Sequence, residues 1–216
     1  MNNLSNFSTA LISGTIPAKL NIKDIDIFEI MESGIFDNIP GIGEIISVGK
    51  SIMNIRDKFT FKKFIIFLQS YNKINIDEDK LNTFRNRFQN DKSYRIKITE
   101  YLISYLDDFK RIEKSEIYAN LFAEYINEAY SWEHFLNLSD LLSRINIDSL
   151  IKMPMIDTQE GKDVKTFNEK ESSIEADMIS SGLAMRLSVW SSSIYPTSLG
   201  KDLYKYGIKN NNRELF

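Results

Sequence analysis

The chain has 216 residues, a formal net charge of −3, a pI near 5.4 and no cysteine. That charge argues against a generally basic nucleic-acid binder. The missing cysteine excludes disulfides, thiol nucleophiles and cysteine-ligated metals, and fits a reducing cytoplasm.

Hydrophobic residues make up 43% of the chain, with 14 Phe and 10 Tyr, enough for one large core with a small appendage. Abundant isoleucine, asparagine and lysine point to an AT-rich bacterial or phage genome. Residues 1–22 open with MNNLSNFSTALISGTIPAKL, which lacks a basic n-region and a long apolar core. The expectation is a flexible segment and no signal peptide. Asp24 to Ser33 reads as a short amphipathic helix, with Gly34 as its stop.

Residues 34–68, GIFDNIPGIGEIISVGKSIMNIRDKFTFKKFIIFL, are the most apolar part of the chain. Ile42, Ile45, Ile46, Gly49 and Ile52 recur at helical spacing. Phe61, Phe64, Ile65 and Leu68 form the face of a second helix, widened by Phe59, Ile66 and Phe67. The pair is expected to be the core hairpin of a helical domain. The run from Ile39 to Ile55 contains Glu44 and Lys50 and falls short of the roughly 20 predominantly apolar residues of a spanning helix.

Between the two helices, Arg56 and Asp57 read as a structural hinge. A buried arginine needs a partner, and Asp57 is placed to cap the second helix. Lys50, Arg56, Lys58, Lys62 and Lys63 against Glu44 and Asp57 give a local net charge of +3. This reads as a solvated face. The sharper alternative is a membrane or partner surface of Lys50, Lys58, Lys62 and Lys63 beside an exposed apolar face.

Asn75 or Asp77 is set to cap the next helix, and Asp91 the one after it. Lys114 to Tyr130 carries a further apolar stripe. Ser131 is set to cap a helix with Phe135, Leu138, Leu141 and Leu142. The helical bundle is thus expected over 23–150. Residues 151–170, polar with Pro154 and Gly161, read as a linker loop.

Residues 171–216 have a different grammar. Ser172 to Ser181 is a helix closed by Gly182. Leu183 to Val189 alternates like a strand, Trp190 to Ser193 turns, Ile194 to Pro196 returns, and Thr197 caps a last helix. The fold expected is therefore mainly α, a multi-helix bundle with a small C-terminal α+β element. Ser181, Gly182, Leu183, Tyr195, Thr197, Gly200 and Leu203 resemble the end of a winged-helix module, although Pro196 stands where such modules often have leucine. DNA fits poorly. The would-be reading helix is acidic, and from Ile151 to Phe216 nine bases balance nine acids.

The string DNIPGIGEIISVGKSIMNIRDKFTFKKFIIFL resembles an uncharacterised family of bacterial helical proteins. Their shared pattern is a small-apolar helix, Ile-Arg-Asp, then Lys-Lys-apolar-Phe-Leu. The resemblance continues through Ser93–Tyr105, Leu121–Tyr125, Phe135–Leu142 and Gly182–Leu203. It implies an accessory protein of the kind found beside phage-defence and mobile-element genes.

Catalytic chemistry has weak support in the residues. His134 is the single histidine and reads as structural. Asp107-Asp108 and Glu124/Glu128 read as solvated acids rather than metal ligands. Gly41-Ile42-Gly43 lacks the ending of a phosphate loop. No catalytic residue, cofactor or metal is expected. The function expected is a non-enzymatic cytoplasmic protein that contacts another protein. One alternative is a membrane-active effector that releases the hairpin 39–68, and so associates with membranes on activation. Another is a winged-helix DNA-binding regulator.

Overall fold

The structure is a computed structural model that describes residues 2–17, 19–158, 161–163, 165, 167 and 171–209, with only the backbone of 2, 3 and 48–52. Two compact units make up the chain, 1–129 and 130–216. The division falls before the helix that Ser131 caps. The helical bundle expected to run to residue 150 therefore ends earlier, and the smaller unit includes two more helices than the sequence suggested.

The first unit contains α1 (Asn2–Ser13), α2 (Ile27–Glu32), α3 (Ile42–Ile52), α4 (Ile55–Tyr71), α5 (Glu78–Asn90), α6 (Lys92–Asp108) and α7 (Lys114–Ile126). α4 is its axis. Every residue from Thr60 to Tyr71 is buried, because α6, α7 and α2 pack against it. A helix apolar on most sides belongs in such a place. Phe64, Phe67 and Tyr71 stack down α4, and Phe67 meets Tyr118 and Phe122 of α7.

The amino-terminal segment corrects an expectation. Asn2–Ser13 is a helix rather than a flexible tail. Phe7, Ala10 and Leu11 are buried at 3- and 4-residue spacing, and α1 packs on α3 and α6. The Phe7 ring lies edge-on to Phe64 with 4.5 Å between centroids. Gly41 sits at φ 79° beneath this helix, where a Cβ would collide with the α1 backbone.

The second unit contains α8 (Trp132–Arg144), α9 (Ile147–Ile151), a 3-10 turn (Met153–Met155), β1 (Lys162–Asp163), α10 (Ser172–Ser181), β2 (Ala184–Met185), β3 (Ser193–Pro196) and α11 (Ser198–Gly207). The strands form an antiparallel sheet in the order β1-β3-β2. The chain is thus a helical bundle with a small α+β element. The described residues of the expected linker 151–170 do more than connect, since Met153 and Ile156 are fully buried and Lys162 and Asp163 pair with β3. The strand expected over Leu183–Val189 shrinks to two residues.

Candidate functional site

Four side chains of α4 and α6, Arg56, Thr60, Lys63 and Asp107, form a polar cluster in the first unit. Asn54 caps α4 by accepting from the Asp57 N–H at 2.9 Å. Asp57 was expected to cap, but it lies inside the first turn. Arg56, Thr60 and Lys63 follow at spacings of four and three, so they share one face of α4. That face meets the last turn of α6, where Asp107 and Asp108 place negative charge at the negative end of a helix.

The α4 groups answer this charge. Arg56 donates Nε–H to Asp107 Oδ1 at 3.2 Å, and its Nη2 contacts Oδ2. Thr60 Oγ1 donates to Asp107 Oδ1 at 2.6 Å. Lys63 Nζ donates to the carbonyls of Asp107 and Phe109 at 3.0 and 2.9 Å. The hydrogen bond from Arg56 holds the Asp107 carboxyl below the usual carboxylate range, with Thr60 and the nearby positive charges adding to the effect against partial burial.

The expected hinge is thus differently built. Arg56 is not wedged between α3 and α4, for its side chain is 77% exposed. It ties the start of α4 to the end of α6.

The expected basic surface also divides. Lys62 and Lys63 are buried, not solvated. Lys62 Nζ donates to the carbonyls of Lys23 and Ile25 at 2.9 and 2.7 Å. Burial lowers the pKa of both amines, opposed by neighbouring acids. Their aliphatic stems line the core while the amines satisfy backbone acceptors. Lys58 stays partly exposed over the Phe28 ring at 4.6 Å. The side chain of Lys50 lies outside the described residues.

Beside the Arg56–Asp107 pair runs an open cleft of about 690 Å³. Leu4 and Phe7 of α1, Met53, and Ile103 of α6 supply its apolar lining. Asp57 and Glu100 are exposed along it, and neither carboxylate is hydrogen-bonded or ion-paired among the described residues. No sequence pattern announced this cleft, because its walls come from segments about a hundred residues apart.

In the second unit, the β2–β3 connection carries Leu187, Val189 and Trp190 at 65%, 89% and 93% exposure. The alternation in the sequence predicted a strand here, which would have placed alternate side chains against a core. Instead the pairing stops at Met185, and the apolar residues stand in solvent. Arg186 is held by Glu175 at 2.7 Å, and Asp177 accepts from the Asn146 N–H at 3.0 Å. These acids of α10 serve the unit's own structure. The α10 that would read DNA in a winged helix carries no lysine or arginine.

His134 pairs with Asp202 at 3.0 Å and packs on Tyr130, which also meets Tyr206. These contacts join α8 to α11. Among the described residues no group of three or more His, Cys, Asp or Glu side chains is placed to hold a metal. None of their helices is long and apolar enough to cross a membrane. No family model, curated protein or solved structure matches the chain.

Proposed function

We propose that the chain is a non-enzymatic bacterial or phage protein that works in the cytoplasm by contacting another protein, in phage defence or its control. The observation that carries the reading is the hairpin tip with Leu187, Val189 and Trp190 in solvent. Contiguous exposed apolar residues mark contact sites, and tryptophan is enriched among the residues that dominate binding energy. The phage-defence setting comes from the resemblance of residues 37–68 and the later segments. The membrane alternative loses Lys62 and Lys63 as lipid-facing cations, since both amines bond to buried-side carbonyls.

The test is affinity capture from phage-infected cells with wild type and a Val189→Ser/Trp190→Ser double variant. A protein held by wild type and lost from the variant, with thermal stability unchanged, supports the reading. Equal capture by both chains would defeat it. So would wild type that retains no protein yet leaks liposomes, or binds DNA in a salt-dependent manner.

A further inference from the structure

The cleft of the first unit has a chemical character separate from the hairpin. Its one cation, Arg56, is already engaged by Asp107 through two donors. The carboxylates of Asp57 and Glu100 make no hydrogen bond or ion pair among the described residues. Counting Arg56 against Asp57, Glu100 and Asp107, the lining has a net charge of −2. Leu4, Phe7, Met53 and Ile103 supply the apolar floor of the same cleft. A free ammonium or guanidinium alone would satisfy the acids and leave the floor wet. An apolar segment alone would cover the floor and bury the carboxylates unpaired, which is costly. A ligand that satisfies both carries cations on one edge and apolar side chains next to them. The volume lies in the range of a site for a few side chains.

We propose that this cleft binds a basic amphipathic segment of a protein partner, with its apolar side chains on Leu4, Met53 and Ile103 and its cations on Asp57 and Glu100. The two faces of the segment would be read separately: the floor by shape and apolar burial, the rim by charge. Such recognition follows the helix-in-groove mode, in which anchors at helical spacing enter an apolar groove. The proposal does not depend on the hairpin tip.

The experiment is fluorescence anisotropy with the full chain. The probe is a fluorescein-labelled helical peptide of leucine and arginine, with leucines on one face. Asp57→Asn/Glu100→Gln should weaken binding by roughly tenfold at low salt, since rim charge pairs of this kind are salt-sensitive. Glu78→Gln/Glu133→Gln makes the same change in net charge on α5 and α8, and should leave binding unchanged. Ile103→Arg, which fills the floor with a cation, should abolish binding while the melting temperature is kept. The peptide with alanine for leucine should bind at least tenfold more weakly. Trp190→Ser should bind the probe like wild type, so failure of the hairpin reading and failure of this one are distinguishable. Equal weakening by the remote pair would show general charge attraction and overturn the proposal. Undiminished binding by Ile103→Arg, or of the alanine peptide, would overturn it too.

Discussion

Arg56 and Asp107 are 51 residues apart in sequence and meet through two donors on one carboxylate. The pair joins the positive start of α4 to the negative end of α6. Each helix end thereby receives charge of the opposite kind from across the interface. Thr60 and Lys63 repeat the contact one and two turns on.

The Asp107 carboxyl is depressed by its hydrogen bond from Arg56 first, so its contribution to stability has a defined pH window. A group with a folded pKa below its unfolded value of about 3.9 adds stability above that value and loses it as pH falls through the folded pKa. Glu113, held down by Arg111, acts in the same sense. Asp107→Asn should therefore be less stable than wild type at neutral pH, and the gap should close under acid. The carboxylate is about one-third exposed, so screening keeps the gap modest and high salt should reduce it. Urea midpoints of both chains at falling pH test this. A gap independent of pH would mean that Asp107 acts only by shape.

Lys63 is expected to matter more than Arg56. Its amine satisfies two carbonyls at the end of α6 in a buried setting. Lys63→Ala should cost about 1–3 kcal/mol, because those acceptors lose their donor inside the fold. Lys62→Ala should fall in the same range for the carbonyls of residues 23 and 25. Arg56→Ala should cost less than either, because its guanidinium stands in water. Denaturant melts of the three variants give the ranking. Arg56→Ala as the most damaging change would restore the buried-hinge picture.

Burial also sets an alkaline signature. The charged forms of Lys62 and Lys63 are disfavoured in the fold, so their folded pKa values lie below the unfolded value of about 10.4. The unfolded chain then holds more protons, and stability rises with pH as the unfolded value is approached from below. Tyr71 works the other way, with its phenol pushed up by burial to about 12. Above about pH 10 the unfolded chain releases that proton while the fold retains it, and stability falls. Wild type should show the rise and then the fall. Lys62→Met/Lys63→Met should lose the rise alone. A flat profile below pH 10 in wild type would count against it.

α1 should be integral to the first unit. Phe7→Ala removes a buried ring that lies edge-on to Phe64, and the cavity should cost about 3–5 kcal/mol. A variant that melts like wild type would return residues 2–13 to the role of a dispensable tail.

The helix starts were the most legible feature. Asp77, Asp91, Ser131 and Thr197 each accept a backbone N–H at the expected place. A capping oxygen is local chemistry, fixed by neighbours in sequence. α1 was hidden because Asn2–Ser13 has no acid in its first turn and no base in its last. Its helix depends on long-range packing, which composition does not report. Lys62 and Lys63 were misread for a similar reason. Periodicity marks an apolar face, but it cannot show that carbonyls of residues 23, 25, 107 and 109 would take up the amines. The cleft was illegible because Leu4, Asp57 and Glu100 become neighbours only when α1, α4 and α6 assemble. The turn was legible at Trp190 to Ser193, but the strand pattern over Leu183–Val189 concealed the exposure of Leu187 and Val189.

Thr197 is the joint that fixes this hairpin to the last helix. Its Oγ1 accepts the Gly200 N–H at 2.9 Å and lies 2.8 Å from the Gly182 carbonyl oxygen, to which it donates. Its own N–H donates to the Leu183 carbonyl at 2.9 Å. One residue thus caps α11 and ties it to the end of α10. Thr197→Ala should cost about 1–2 kcal/mol, in the range of lost N-caps. Thr197→Ser keeps the hydroxyl and should recover most of that loss. Gly200→Ala should also destabilise, although alanine is the better helix former, because a Cβ there would collide with the Leu183 carbonyl. Packing geometry overrides propensity at that position. Melts of the three variants decide the matter. If Gly200→Ala is stabilising, the close approach of α11 to the start of β2 is not what holds the hairpin in place.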